Sequence, residues 1–387
     1  MKNIYLDYNA SFPVKSEILT QLLTQTQSYG NPSSIHFFGR QSRQKIEETR
    51  HKFAKCLNVA SDKIIFTSGG TEANNMVLKG FVAEHKNKST LLISATEHPS
   101  VLKTAFTLLG EHCSLINVKK SGIIDLVHLE NFLRRAEKPI LVSIMYANNE
   151  TGVIQPISQI TSLVHQYGGL LHCDAVQAFG KINFDFGDDL PDFITFSGHK
   201  IGALQGIGVL FSKHNFPYDA LVSGGGQEKG RRSGTENVLG IESLGLVLSH
   251  LNADIYNCSK VEFLRDYMEK QLVEIAPDLV FFGKDTPRLP NTSCFGCLGL
   301  AGDMQVISLD LEGIFISAGS ACSSGKVKPS HVLLAMGASE ALAQSAIRIS
   351  MGPTTTKEDI DYFLKAWTKI YVRGLKDQFQ LINQNNG

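Results

Sequence analysis

A chain of 387 residues with 43% apolar side chains can bury a large core, and its length suggests about two or three domains. Its 37 basic and 37 acidic residues cancel, which removes any broad pull toward nucleic acid or anionic lipid and leaves a small-molecule enzyme or a protein-binding module. The N-terminus turns polar by Asp7, too soon for a signal peptide, and no apolar run reaches the roughly 18 residues that span a bilayer. The 7 cysteines are scattered, which predicts a reducing cytoplasm and no disulfide framework.

In the first two thirds of the chain, short β-rich apolar runs alternate with amphipathic helical stretches. The pattern predicts strands at 63–67, 90–94, 140–147, 169–173, 192–197 and 208–212. Helices are predicted between them at 72–84, 101–109, 126–136 and 157–167. Such alternation predicts an α/β fold, a mainly parallel central sheet covered by helices on both faces. Beyond about residue 243 the texture changes. A long helical stretch covers 244–276, strand-like runs follow at 279–282, 306–311 and 346–350, and a last helix covers 357–373 before a frayed polar tail from Gln378. This part reads as a smaller α+β domain, with 14–250 forming the large domain and 1–13 joining 251–387 in the small one. Cys294 and Cys297 form a lone C-x-x-C, and with no second pair at zinc spacing they read as two half-buried thiols.

Open α/β sheets bind ligands beyond the carboxyl ends of their strands. The residues that follow five of the predicted strands are Ser68-Gly69-Gly70-Thr71-Glu72, Glu97-His98-Pro99, Asn148-Asn149-Glu150-Thr151-Gly152, Asp174-Ala175-Val176-Gln177 and Ser197-Gly198-His199-Lys200. Each has a structural use taken alone: Ser-Gly-Gly-Thr caps a helix, and an Asp at a strand end caps the next one. No Walker loop or dinucleotide fingerprint is present. One rim would nevertheless gather a phosphate cradle, an imidazole, an amide, a carboxylate and a lysine. Backbone N–H groups at a helix start suit a phosphate. A partly desolvated lysine can form a Schiff base. A carboxylate can hold the proton on a pyridine nitrogen and make that ring an electron sink.

The motifs resemble those of the class V, fold-type I pyridoxal-phosphate transferases, and within them the cysteine desulfurases of the NifS/IscS group. The resemblance runs from Ile4-Tyr5-Leu6-Asp7-Tyr8-Asn9-Ala10 to about Gly352. It takes in Gly30-Asn31-Pro32-Ser33-Ser34-Ile35-His36, Thr67-Ser68-Gly69-Gly70-Thr71-Glu72-Ala73-Asn74-Asn75, Asn148-Asn149-Glu150-Thr151-Gly152, Ser197-Gly198-His199-Lys200, Gly224-Gly225-Gly226-Gln227-Glu228, Arg232-Ser233-Gly234-Thr235-Glu236-Asn237 and Ser320-Ala321-Cys322-Ser323-Ser324-Gly325. The resemblance implies pyridoxal 5'-phosphate as a Schiff base on Lys200. It implies Asp174 at the pyridinium nitrogen, Gln177 at the ring hydroxyl and His98 stacked on the ring, moving protons. Gly70, Thr71, Ser197, Gly198 and His199 would hold the phosphate. Thr235 would reach the neighbouring subunit's cofactor in a homodimer, and Asn148 and Arg348 would bind the substrate carboxylate. The sequence departs from the family after the lysine, where Ile201-Gly202-Ala203-Leu204-Gln205-Gly206 stands in place of a Gly-Pro-Lys-Gly segment.

Cys322 lies in a stretch rich in Gly and Ser with few large apolar residues, which predicts an exposed, mobile loop. The resemblance makes it the persulfide-forming nucleophile, in a loop of the longer of the family's two types. No resident metal is implied, and Cys322 would at most be a transient iron–sulfur ligand. Arg348 lies in a short alternating run, where an edge-strand arginine either faces solvent or clamps a carboxylate; the matching family position favours the clamp. The implied reaction converts L-cysteine to L-alanine, with sulfur passed to an iron–sulfur scaffold or a tRNA-thiolating acceptor. A selenocysteine lyase, another class V enzyme and a catalytically silent platform for a sulfur acceptor are the rival readings.

Overall fold

The computed structural model describes residues 3–25, 30–85, 88–110, 113–183, 189–214, 218–251, 258–319 and 328–385. In chain order the first elements are β1 (Ile4–Tyr5), α1 (Ser16–Gln25), α2 (Phe37–Leu57), β2 (Ile64–Thr67), α3 (Gly70–Glu84), β3 (Thr90–Ser94), α4 (Pro99–Leu109), β4 (Cys113–Ile116), α5 (Leu126–Arg135), β5 (Ile140–Ser143), α6 (Ile157–Gln166), β6 (Leu170–Asp174), β7 (Phe193–Ser197), β8 (Gly208–Ser212) and α7 (Val238–Ser249). The strands β2 to β8 form a seven-stranded sheet in the order β2-β8-β7-β6-β5-β3-β4. Strands β3 to β7 pair parallel, while β8 runs antiparallel to both β7 and β2. Since β2 and β7 both oppose β8, β2 points the same way as β7. Six strand ends therefore share one rim, those of β2, β3, β5, β6 and β7 among them, as the expected mainly parallel sheet requires.

The sheet is buried on both faces, and the period-2 pleat assigns its side chains. Ile65, Leu91, Ile93, Leu141, Phe193 and Leu210 pack against the apolar side chains of α3 and α4. Their neighbours Ile64, Phe66, Leu92, Val142, Leu171, Ile194 and Phe211 pack on the other face against α1, α2, α5, α6 and α7. Two local devices fix the helices that leave the rim. Pro99 opens α4, with the His98 ring accepting from Ser100 N, and Asp125 caps α5 by accepting from the N–H groups of Val127 and His128.

The rest of the chain comprises α8 (Cys258–Ile275), β9 (Val280–Phe281), β10 (Thr292–Gly296), α9 (Gly302–Leu311), β11 (Ile314–Phe315), β12 (Ser317–Ala318), α10 (His331–Ala335), α11 (Glu340–Ser345), β13 (Ile347–Ser350) and α12 (Lys357–Asn385). A second sheet has the order β12-β13-β10-β9, and β1 pairs with β11. A separate core collects Leu264, Met268, Phe295, Leu309, Ile347, Phe363 and Trp367, together with Ile4 and Leu6 from the start of the chain.

Several expectations are corrected here. The run 306–311 is not a strand. It belongs to α9, where Gln305 and Leu309, one turn apart, face the core while Ile307 and Leu311 stay exposed. β-Branched residues suggested a strand, but the helical burial period decides. The stretch 244–276 is not one helix, since α7 ends at Ser249 and α8 starts at Cys258. The last helix runs on past 373 and through Gln378 to Asn385. The strand expected to reach Ala147 stops at Ser143, and the chain then turns toward the rim. The strands β4 and β10 and the helices α1 and α2 were not read from the pattern. Among the described residues no helix is long and apolar enough to cross a membrane.

Candidate active site

The five strand ends open into one cavity of about 1370 Å³, ample for a cofactor-sized and a small substrate molecule together. Gly70, Thr71, His98, Asp174, Gln177, Ser197, His199, Lys200 and Arg348 all line it.

At the end of β2 the chain passes through Gly69 into α3, a helix that no side chain caps. Its opening N–H groups have no partner within the helix and carry the positive end of its dipole. Gly70 is held close to the segment that leaves β6, since a Cβ there would lie 2.8 Å from Val176 Cγ2. At the end of β3 the His98 Nδ1 accepts from Ser100 N at 3.1 Å and lies 2.8 Å from Ser100 Oγ, which fixes the ring. Burial lowers the His98 pKa, and Lys200 and His331 add to this against the pull of Asp174, so the ring is neutral at pH 7.

At the end of β6, Asp174 Oδ2 accepts from Asn74 Nδ2 at 2.8 Å and Oδ1 accepts from Val176 N at 3.0 Å. Gln177 donates through Nε2 to the Asn9 carbonyl at 2.9 Å. Beyond β7, Lys200 Nζ donates to the carbonyls of Asn9 and Ala10 at 2.7 and 2.8 Å. His199 is pushed down to about 4 by burial and by Lys200, so it too is a neutral donor or acceptor. Gly198 does not line the cavity; it makes the turn possible, because a Cβ there would meet Ile207 Cγ2 at 2.6 Å.

Asn148 is buried and also absent from the cavity wall. Its Oδ1 accepts from the N–H groups of Glu150 and Thr151 at 2.9 and 3.0 Å, and its Nδ2 donates to Thr96 O at 3.2 Å. It shapes the turn that brings Asn149 and Glu150 to the cavity. Thr235 is exposed and away from the cavity of its own chain. Cys322 lies outside the described residues. Gly319 before it and Lys328 after it both line the cavity.

Arg348 is not on an edge. Its strand β13 lies between β12 and β10, and all four residues of β13 are buried. The guanidinium donates to Asn149 O at 2.9 Å, to Ser317 Oγ at 3.0 Å and to Asp7 Oδ1 at 2.6 Å, while its buried Nε has no hydrogen-bond partner among the described residues. A guanidinium fixed in the cavity wall with hydrogen-bonding capacity left unused suits a carboxylate ligand. Cys294 and Cys297 are fully buried, where half-burial was expected. Burial raises the Cys297 thiol to about 12 and raises Cys294 as well, so neither is a thiolate at neutral pH.

Four residues without an assigned role in the sequence belong to this neighbourhood. Glu97 is fully buried and is raised well above an ordinary glutamate by burial and by Asp174. Glu150 is raised to about 7 by burial, and its Oε2 accepts from the Ser330 hydroxyl at the start of α10. Lys181 lies behind Gln177 and Asn9, and Asn9 itself lines the cavity beside Lys200. Glu97, Glu150 and Asn9 sit inside motifs quoted above, but adjacency to a strand end does not tell a wall residue from a supporting one.

The donor set fits pyridoxal phosphate. An uncapped helix start closed by Gly70 offers a phosphate cradle. A lysine amine, a carboxylate with both oxygens oriented and a ring-sized imidazole face the same space. The model for the aminotransferase class-V family matches residues 4–363. A cysteine desulfurase IscS from Dictyoglomus turgidum is 38% identical over 95% of this chain and 94% of its own length. A cysteine desulfurase from Trichormus variabilis is also 38% identical, over 96% of this chain and 94% of its own. The solved NifS-like protein from Rickettsia africae superposes with a TM-score of 0.87 at 36% identity, covering 96% of this chain and 99% of that one. These matches join the cavity to its cofactor class, and the chain belongs to the aminotransferase class-V family of pyridoxal-phosphate enzymes, in its cysteine desulfurase group.

Proposed function

We propose that this chain takes sulfur from L-cysteine, releases L-alanine and holds the sulfur as a persulfide on Cys322. The observation that carries the reading is the convergence of Lys200, Asp174, His98 and the α3 cradle with Arg348, contributed by the second sheet, around one cavity.

Bound there, pyridoxal phosphate supplies an electron sink for electrons left at the substrate Cα. Lys200 would hold the cofactor covalently, and its free amine would be the base for the Cα proton. Its seat between two carbonyls keeps the amine oriented for both tasks. Arg348, a fixed cation in the cavity wall, holds the substrate carboxylate. Asp174 would hold the proton of the pyridine nitrogen, and neutral His98 would accept or return a proton at the substrate. The Cys322 thiolate attacks the substrate sulfur, so the Cβ–S bond breaks as an S–S bond forms. L-Cysteine and one thiol give L-alanine and one persulfide, and no outside oxidant or reductant is required.

Two finer statements belong to the same reading. The chain works as a homodimer in which Thr235 serves the neighbouring cofactor; in support, Leu23, Ile35, Phe37 and Phe38 are exposed large apolar side chains near the N-terminus. The sulfur acceptor is an iron–sulfur scaffold or a tRNA-thiolating protein. The deciding experiment incubates the purified protein with L-cysteine and measures alanine, with persulfide trapped by alkylation and mapped by mass spectrometry. Cys322→Ala should keep the visible absorbance of the cofactor and form no persulfide; normal turnover in that variant would refute the nucleophile. Light scattering tests the dimer, and transfer of labelled sulfur to purified scaffold or thiolation proteins tests the acceptor.

A further inference from the structure

Lys181 is a lysine with no outlet to water, 1% exposed and among the largest fully buried side chains. It ends the short helical turn after β6, where Lys181 N and Ile182 N both bond to Ala178 O. Gln177 is four residues earlier, so the two side chains meet on one face of that turn. Lys181 Nζ donates to Gln177 Oε1 at 2.7 Å and to Asn9 Oδ1 at 2.7 Å.

These bonds fix an orientation. An amine bonded to two oxygens is the donor in both bonds. The Gln177 amide must therefore turn its oxygen to Lys181 and its nitrogen away, where Nε2 donates to the Asn9 carbonyl at 2.9 Å. That same carbonyl accepts from Lys200 Nζ at 2.7 Å. Asn9 is held further by Asn291 Nδ2, which donates to its Oδ1 at 3.2 Å, and by Thr292 Oγ1, which accepts from its Nδ2 at 2.9 Å.

We propose that Lys181 is a positioning residue for the cofactor lysine: it orients the Gln177 amide with its N–H side toward the cavity and pins Asn9, whose carbonyl seats Lys200. Burying an amine is costly, and a methionine would fill the same volume without that cost. Burial lowers the Lys181 pKa strongly, and Lys200 and Arg348 lower it further. The amine is kept for the bonds it makes.

The inference rests on Lys200 carrying the cofactor. The test is the visible absorbance of the holoenzyme followed through pH in the wild type, Lys181→Met, Gln177→Met and the double variant. Loss of an oriented donor beside the cofactor raises the pH midpoint of the lysine-linked band in Lys181→Met by about 0.5–1 pH unit, the size of one hydrogen bond. Gln177→Met shifts it in the same direction, and the double variant shifts no further than the larger single change, because both act through one amide. Lys181→Gln, which restores one donor, shifts less than Lys181→Met and serves alone if the methionine variant does not fold. A wild-type midpoint in either folded Lys181 variant, or simple additivity in the double variant, overturns the proposal. A wild-type protein with no lysine-linked band would instead overturn the cofactor role of Lys200.

Discussion

Glu150 is a carboxylic acid in the cavity wall, and Glu150→Gln removes its titration while keeping its shape. Burial raises its pKa from 4.5 to about 7, with the Ser330 hydroxyl and Arg348 limiting the rise. Between those two values the folded protein keeps a proton that the unfolded chain has lost. Glu150 therefore contributes stability that is fully present below its unfolded value and is lost as pH rises through about 7. The whole span is worth roughly 3 kcal/mol, of which about 2 kcal/mol falls between about pH 5.5 and about pH 8. For 387 residues, each contributing about 2.1 cal/mol/K of unfolding entropy, that difference moves the melting temperature by about 2–3 °C. Calorimetry of the holoenzyme and of Glu150→Gln across this range gives the measurement. Only the gap between the two proteins matters, because their shared titrations cancel. The wild type should gain about 2–3 °C on the variant as pH falls from about 8 to about 5.5. A gap that stays flat, or that moves the other way, would refute the assignment of a buried, proton-holding Glu150.

Gly70→Ala places a methyl group 2.8 Å from Val176 Cγ2, so apoprotein titration should show weaker pyridoxal phosphate binding, and adding Val176→Ala should recover part of the loss. Unchanged affinity would remove the cradle from the phosphate site. Arg348→Ala deletes a charge-assisted partner worth about 1.5–3 kcal/mol, so steady-state kinetics should show the KM for cysteine rising roughly tenfold to a hundredfold; a KM within a factor of two of wild type would argue against the carboxylate clamp. Trp367 is fully buried in the second core and donates to Gln305 Oε1 at 2.9 Å, so Trp367→Ala should cost about 3–5 kcal/mol in denaturant unfolding with little change in the holoenzyme spectrum.

The rim of the sheet is legible in the sequence. Lys200, Asp174 and His98 each directly follow a short apolar run, and parallel topology then brings them together whatever the details of packing. The helix in place of the strand at 306–311 marks where that reasoning stops. Val306 and Ile307 favour a strand locally, but burial of Gln305 and Leu309 against the second core selects the helix. Arg348 shows the same limit. Its alternating run is plain in the sequence, but β12 and β10, which flank it and make its strand internal, are not adjacent to it in the chain.

By itself, the sequence determined which groups stand at the strand ends and, through its motifs, the family and its cofactor. Tertiary structure alone decided which of those groups face the cavity and which support it. Asn148 is spent on its own turn, while Asn9, from the start of the chain, seats Lys200. It also moved the ionisation equilibria, since burial withdraws water and so raises Glu97 and Glu150 and lowers Lys181.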